Sequence, residues 1–345
     1  MPEQSFVARH KTAVIALAVS VAAAVGLGFV LTDVMAGGRR TSVAAPAHHP
    51  GVRRTARTKP TPSGSASEPV APTPVPSATA TPVPAAAAAT SVPAPVRCTG
   101  CWHPAVDTSW DWVLSAVPTA PYRKVAMYDI DGFDASAADV AALHRAGIKA
   151  TCYLSAGTDE NWRPDAARFP AALLGSPDGW PGEKWLDIRS VQQPNSPLRA
   201  IMDNRLDMCR QKGFDMVELD NVDGYTNSTG FPLTAKDQLI YNTTLADDAH
   251  RRGLSVLQKN DNEQIPQLLP YFDGALNEQC NEFQECTTAQ NGSYGDDQYV
   301  AAGKPVFQAE YNLSTSDFCP ADNAADFNGV RFDLDLDDKT FRPCR

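Results

Sequence analysis

Residues 98–345 are expected to fold as one α/β domain, a (β/α)8 barrel, on three observations. Short apolar runs recur along this stretch, most of them end in a polar cluster, and helical patterns between many of them close on Gly just before the next run, as in RAGIKA, QKGFDM and RRGLSV. Strand, polar end, helix, Gly, strand is the order of a parallel sheet with helical crossovers. About eight rounds of it in about 250 residues favour closure into a barrel over an open doubly wound sheet. No G-x-G-x-x-G follows the first run and no P-loop occurs, which argues against a nucleotide-binding fold.

Ahead of this domain the chain has a different character. Arg9, His10 and Lys11 precede an almost unbroken apolar run, Ala13–Leu31, whose length approaches the thickness of a bilayer core. Residues 1–36 are therefore expected to be an export signal or a membrane anchor, with the charge flank keeping the N-terminus inside and sending the rest of the chain across. Val34-Met35-Ala36 offers a small-residue cleavage pattern, and the long apolar run offers retention equally. Residues 37–97 are rich in Pro, Ala, Thr and Ser, as in TPVPSATATPVP, and read as a disordered spacer that buries too little to offset its ordering entropy.

Residues 1–97 carry nine Lys or Arg against three Asp or Glu, a balance of +6, so with −10 over the whole chain the remainder carries −16. A field of that sign disfavours nucleic acid and favours a cationic partner. All eight cysteines lie in the acidic part. In an exported chain an even number suggests disulfides, with Cys280–Cys286 and Cys319–Cys344 as the expected local pairs, leaving Cys98 with Cys101 and Cys152 with Cys209; connectivity does not follow from sequence. A lone C-x-x-C with no second pair or His pair argues against zinc.

Eight strands are expected. They run from Trp110 to Leu114; Val125 to Tyr128, ending in Asp129 and Asp131; Ile148 to Leu154; Trp185 to Ile188, carrying Asp187; Met216 to Leu219, ending in Asp220; Leu254 to Leu257, ending in Lys259 and Asn260; Phe272 to Leu276, ending in Glu278; and Pro305 to Ala309, ending in Glu310. Helices are expected over Ala137–Ala146, Pro197–Lys212 and Ala235–Arg252. Asp333, Asp335 and Asp337 alternate as in a calcium loop, but Asp338 stands where that loop needs Gly, so a strand with one acidic face is expected instead.

In a barrel the strand ends converge on one mouth, which makes these scattered polar residues neighbours. Alternation also places Glu218 and Asp220 on one side of their strand. An acidic pocket with several carboxylates, little His and no metal-ligand spacing suits glycosidic bond cleavage, which needs one carboxyl to donate a proton and another, ionised, to attack carbon or activate water. Asp220 is the expected ionised partner and Glu278 the acid/base, with no metal or organic cofactor. Lys259 would keep Asp220 ionised, and Asn221 and Asn260 could bond sugar hydroxyls. Tyr153, Trp185 and Tyr225 are candidates for stacking on a sugar face. Asp129, Asp131, Asp187, Glu218 and Glu310 complete the expected substrate-binding set, and the segments Trp162–Pro181 and Gln279–Tyr299 the expected rim.

Seven strings then fall together: YDIDGFD (Tyr128–Asp134), YLSAGTDENWRPDA (Tyr153–Ala166), GWPGEKWLDIR (Gly179–Arg189), KGFDMVELDNVDGYTNSTGFPLT (Lys212–Thr234), QKNDNEQ (Gln258–Gln264), LNEQCNEFQEC (Leu276–Cys286) and VFQAEYN (Val306–Asn312). In this order they resemble the endo-α-1,4-polygalactosaminidases, glycoside hydrolase family 114, over essentially all of Cys101–Arg345. The resemblance implies a (β/α)8 barrel that hydrolyses α-1,4 linkages in galactosamine-rich polysaccharide, a cationic partner. It also implies an Asp nucleophile at Asp220 and a Glu acid/base at Glu278. A non-catalytic carbohydrate-binding protein on the same barrel, or a glycosidase for another glycan, is the alternative.

Overall fold

The computed structural model of the chain describes residues 91–345. The apolar run at 13–31 and the Pro-rich segment up to residue 90 lie outside the described residues. In chain order the strands are β1 (Trp110–Val113), β2 (Met127–Asp131), β3 (Lys149–Ser155), β4 (Thr158–Glu160), β5 (Leu174–Pro177), β6 (Glu183–Leu186), β7 (Met216–Asp220), β8 (Ser255–Lys259), β9 (Gly274–Glu278), β10 (Val306–Glu310), β11 (Asn328–Arg331) and β12 (Arg342–Pro343). The helices are α1 (Ala137–Arg145), α2 (Pro197–Lys212), α3 (Ala235–Arg251), α4 (Ile265–Leu268), α5 (Cys280–Phe283), α6 (Thr288–Asn291), α7 (Asp297–Ala301) and α8 (Thr315–Ala324).

One sheet runs β1-β2-β3-β7-β8-β9-β10-β11, parallel at every step, with β12 added antiparallel at the end. Its first and last parallel strands meet. Trp110 Nε1 donates to Asn328 O at 2.7 Å, and the Trp110 and Phe332 rings lie 5.4 Å apart. The sheet is thus curled into a (β/α)8 barrel, and alternation divides its side chains between two cores. Trp110, Met127, Met216, Leu257, Leu276, Phe307 and Val330 point inward and fill the lumen. Val113, Ile130, Cys152, Val217 and Val256 point outward, where Leu143, Leu206 and Leu245 of the surrounding helices cover them.

The long helices start where their caps dictate. Ser136 and Asp139 form a capping box on α1, Thr234 and Asp237 another on α3, and Ser196 followed by Pro197 opens α2. The helix after β7 ends at Arg251 and that before it on Gly213, whose φ of 91° only Gly adopts without strain. Four disulfides join Cys98–Cys101, Cys152–Cys209, Cys280–Cys286 and Cys319–Cys344. Residues 91–97, at the end of the Pro-rich segment, lie against the floor of the barrel: Val96 N donates to Asp247 Oδ1 at 2.8 Å, and Tyr271 donates its hydroxyl to Pro93 O.

Two sequence expectations fail. The run Trp185–Ile188 is not a barrel strand; Glu183–Leu186 is the centre of a small antiparallel sheet, β4-β6-β5, inserted between β3 and α2. Only two single-turn 3-10 helices, Ala166–Arg168 and Ala171–Leu173, separate it from β3, too little for the crossover that a parallel strand needs. The eighth barrel strand is instead β11, Asn-Gly-Val-Arg, whose place is secured by the Asn328 amide donating to Val106 O and Val306 O. The acidic stretch Asp333–Asp338 is a turn rather than a strand, with Leu336 and Asp338 at positive φ.

Candidate active site

Three neighbouring strands end in a charged residue that faces the mouth: Asp220 on β7, Lys259 on β8 and Glu278 on β9. Lys259 is at the centre. Its Nζ lies 2.7 Å from Asp220 Oδ1, 2.9 Å from Glu278 Oε2 and 3.3 Å from Glu218 Oε1, and 5.0 Å from the centre of the Trp112 ring. Each outer carboxylate is held from its other side by a phenol. Tyr153 donates to Asp220 Oδ2 at 2.9 Å and Tyr311 donates to Glu278 Oε1. Asp220 Oδ1 also accepts from the Asn221 backbone N at 2.8 Å, while Asn260 Oδ1 accepts from Glu278 N at 3.1 Å. The backbone is strained at the same places, since Asn221, Asn260, Asp261 and Gln279, which follow these residues, all have positive φ.

Beneath this layer is an acid pair. Asp129 and Glu218 are fully buried, and burial together with the Glu218 charge beside Asp129 disfavours ionising both. Burial, then the Glu218 charge, pushes Asp129 well above the usual carboxylate range. Burial pushes Glu218 up to about 7, against the pull of Lys259. Burial works the other way on Lys259, but Asp220, Glu278 and Glu218 outweigh it and hold the ammonium charged. Tyr153 and Tyr311 are raised by burial and by the carboxylates they face, so both stay protonated donors.

Of the residues singled out in the sequence, Asp220, Glu278, Lys259, Asn221, Asn260, Tyr153 and Tyr225 line one cleft at the mouth. Glu218 and Asp129 sit just below it. The other four do not reach it. Asp131 receives a bidentate contact from the buried Arg163 (3.0 and 2.6 Å) and accepts from the Phe133 and Asp134 backbones. Asp187 pairs with Arg189 at 2.7 Å, and Trp185 is buried in the inserted sheet, both consequences of the strand that is not in the barrel. Glu310 turns outward, accepting from Asn281 N and Gln308 Nε2 at 2.9 Å, and it is the next residue, Tyr311, that faces the cleft.

The cleft also contains residues that sequence reasoning passed over: Trp112 and Leu114 from β1 and its end, Glu183 and Trp180 from the inserted sheet, Asp223 and Asp261 after β7 and β8, and Leu334 and Leu336 after β11. Burial, then Asp220, raises Asp223 to about 6. Period-two alternation from Trp110 and from Phe307 would have found Trp112 and Tyr311. Both expected rim segments contribute, through Trp180 and through Phe283, Glu285 and Tyr294. Seven carboxyl side chains and one lysine line the cleft among the described residues.

Two carboxylates in adjoining, differently supported positions in an acidic cleft can perform general acid and nucleophilic chemistry on a polyol. Known proteins give that chemistry a context. A family model described as glycoside hydrolase family GH114 matches residues 92–345. The chain is similar to Ega3 of Aspergillus fumigatus, solved in complex with galactosamine, at 36% identity and a TM-score of 0.63 over 70% of this chain and 96% of that one. It shares the fold of the glycoside hydrolase domain of PelA from Pseudomonas aeruginosa, at 17% identity and a TM-score of 0.51 over 68% of this chain and 98% of that domain. No curated protein sequence matches it.

Proposed function

Since the chain belongs to glycoside hydrolase family GH114 and is a glycoside hydrolase, we propose that it cleaves α-1,4-linked galactosamine or N-acetylgalactosamine polymers internally and with retention, Asp220 being the nucleophile and Glu278 the acid/base. The observation that carries this reading is the single ammonium touching both carboxylates. Its contacts of 2.7 Å and 2.9 Å put Asp220 Oδ1 and Glu278 Oε2 at most roughly 5.6 Å apart, within reach of the retaining separation and below the inverting one.

In the first step Asp220 Oδ2, the oxygen not held by Lys259 or the Asn221 backbone N–H and bonded chiefly by Tyr153, attacks the anomeric carbon while Glu278 gives its proton to the leaving oxygen. In the second step Glu278 takes a proton from water, which displaces Asp220. The excess of carboxyl groups in the cleft favours a cationic sugar such as deacetylated galactosamine. The aromatics Trp180, Tyr225 and Tyr294 on its walls supply faces for pyranose stacking.

Four disulfides, with no free cysteine among the described residues, fit an oxidising compartment. Residues 1–36 would deliver the enzyme there, as a cleaved signal or as a tether through 13–31, with 37–97 as spacer to the domain. The test is incubation with partly deacetylated α-1,4-galactosaminogalactan and mass spectrometry of soluble products. Oligomers are expected from the wild type, and Asp220→Asn or Glu278→Gln should reduce them by about 10³-fold or more in folded protein. Full activity in either variant overturns the residue assignment, and binding without release of oligomers moves the chain to a carbohydrate-binding role.

A further inference from the structure

Lys259 is an unusual group to find between two catalytic carboxylates. A cation there could bind the substrate, but its geometry leaves little of it to give. The residue is 2% exposed, its ammonium has three carboxylate contacts at 2.7–3.3 Å, and the Trp112 face closes a further side. An ammonium has three N–H donors, and three carboxylates already surround this one. A cationic amino sugar would also be repelled by it. Whatever Lys259 does, it does through the carboxylates.

The proposed double displacement shows what that is. Before the first step the negative charge is on Asp220 and the proton on Glu278. As Asp220 Oδ2 bonds to the anomeric carbon and the glycosidic C–O bond breaks, Asp220 becomes a neutral ester, and Glu278, its proton now on the leaving oxygen, becomes the anion. Hydrolysis reverses this: Glu278 takes a proton from water, the hydroxide bonds to carbon, and the electron pair of the ester bond returns to Asp220. One unit of negative charge thus crosses from Asp220 to Glu278 and back in each cycle, with the total unchanged.

We propose that Lys259 is a positioning residue that serves as the shared counter-ion for this charge, in contact with its place of origin and its destination at once. The inference rests on the retaining reading above. Because Lys259 already touches both carboxylates, the stabilisation passes from one to the other without movement of the cation, which is the property of a preorganised site. Glu218 Oε1, 3.3 Å from Nζ, is a third negative neighbour that draws the ammonium toward the floor of the site, and the raised Asp129 and Glu218 limit the negative charge beneath it. Among the described residues, the charged and titratable groups facing Lys259 and its carboxylates include Asp129 from β2, Tyr153 from β3, Glu218 and Asp220 from β7, Asp223 from the following loop, Glu278 from β9 and Tyr311 after β10.

The test compares wild type with Lys259→Gln and Lys259→Arg, each checked for native circular dichroism. A lost cation favours the protonated form of both carboxyls, so in Lys259→Gln both limbs of the pH profile of kcat/KM should move to higher pH by about one unit or more, with kcat falling more than KM rises. Lys259→Arg keeps the charge and should keep the limbs in place at reduced kcat. A Lys259→Gln profile that stays put while KM rises would make Lys259 a substrate ligand and overturn the proposal. An arginine variant displaced as far as the glutamine one would overturn it too, and still reads the proposal if the glutamine variant does not fold. Carbon-13 titration of the labelled Asp and Glu carboxyls in the free enzyme needs no substrate: resonances at the site should titrate at higher pH in Lys259→Gln than in wild type, and identical curves would refute the proposal. Should wild type itself not hydrolyse the polymer, the functional reading fails while this titration still decides whether Lys259 is the counter-ion of the two carboxylates.

Discussion

The mouth and the floor of this barrel are made from the same eight strands, yet they treat charge and backbone in opposite ways. At the floor the acids have dedicated bases. Asp273 lies between His250 at 2.9 Å and His103 at 3.1 Å, Asp215 between Lys149 and His144 at 2.7 Å, and Asp248 bonds Arg199 and Arg251 at 2.7 Å. The chain enters β3, β7 and β8 from left-handed positions occupied by Gly147, Gly213 and Gly253. At the mouth one lysine serves three carboxylates, burial raises Asp129 and Glu218, and the left-handed positions after β7, β8 and β9 hold Asn221, Asn260, Asp261 and Gln279. The floor satisfies most local preferences, Asp326 at φ 59° before β11 being an exception, and the mouth violates several, which is the division between stability and function that a barrel permits.

The comparison can be broken most severely at Gly157. An added Cβ there would lie 1.6 Å from Asn221 O, and the Gly157 backbone N donates to Asp220 O at 3.0 Å. Gly157→Ala must therefore displace the backbone that aims Asp220, and activity should fall by about 10²-fold or more, read as kcat/KM on a soluble oligomer. Near-normal kcat/KM would mean that the site tolerates a shift the geometry says it cannot.

Removing a titratable group should have opposite signs at the two ends. Glu218 is raised to about 7 by burial, so the folded state holds its proton more tightly than the unfolded chain, and stability is lost as pH rises from the ordinary glutamate range to that value. Glu218→Gln removes that loss. It should stabilise the protein by about 2 kcal/mol at pH 8 and little at pH 4.5, the full gain being offset by one missing contact to Lys259. Urea unfolding at the two pH values reads the difference, and equal effects at both would contradict the assignment of the buried proton.

At the floor the sign reverses. His250 is raised, burial opposing but the hydrogen bond to Asp273 prevailing, and Asp273 is lowered by His250 in spite of its burial. The histidine's contribution is fully present below its ordinary value and is lost as pH rises through its raised one; that of Asp273 is present above its ordinary value and is lost as pH falls. His250→Gln should therefore destabilise on the order of 1 kcal/mol between about pH 4 and pH 6.5 and less at pH 9. A pH-independent loss would assign His250 to packing alone. The smallest effect is conformational: Gly253 has φ +76° and open space where a methyl group would stand, so Gly253→Ala should cost about 1 kcal/mol from backbone strain alone. Thermal unfolding at any pH measures it, and a neutral result would weaken the contrast between the two ends.

Much of the mouth could be read from residue order. Alternation is a strong rule, so once Met216–Leu219 is a strand, Glu218 and Asp220 must share a side, and both touch Lys259. What escaped was set by topology. WLDI is as strand-like as any barrel strand, but its partners are local and antiparallel, so Trp185 and Asp187 travel with the insertion instead of the mouth. β11 is poor in β-branched residues and owes its place to Asn328 bonding its neighbours, which no periodicity reports. Glu310 against Tyr311 is a one-residue question, decided by Asn281 and Gln308 holding the glutamate outward. Trp112 was within reach of the same alternation, counted two residues on from the lumen-filling Trp110.

The central claim is that Asp220 and Glu278, drawn together by Lys259, work as a retaining pair. Proton NMR of an α-1,4-galactosamine oligomer during hydrolysis, followed from the first turnovers before mutarotation, tests it directly. The account predicts that the new reducing end appears first as the α-anomer and only later equilibrates; first appearance of the β-anomer would show inversion and contradict it.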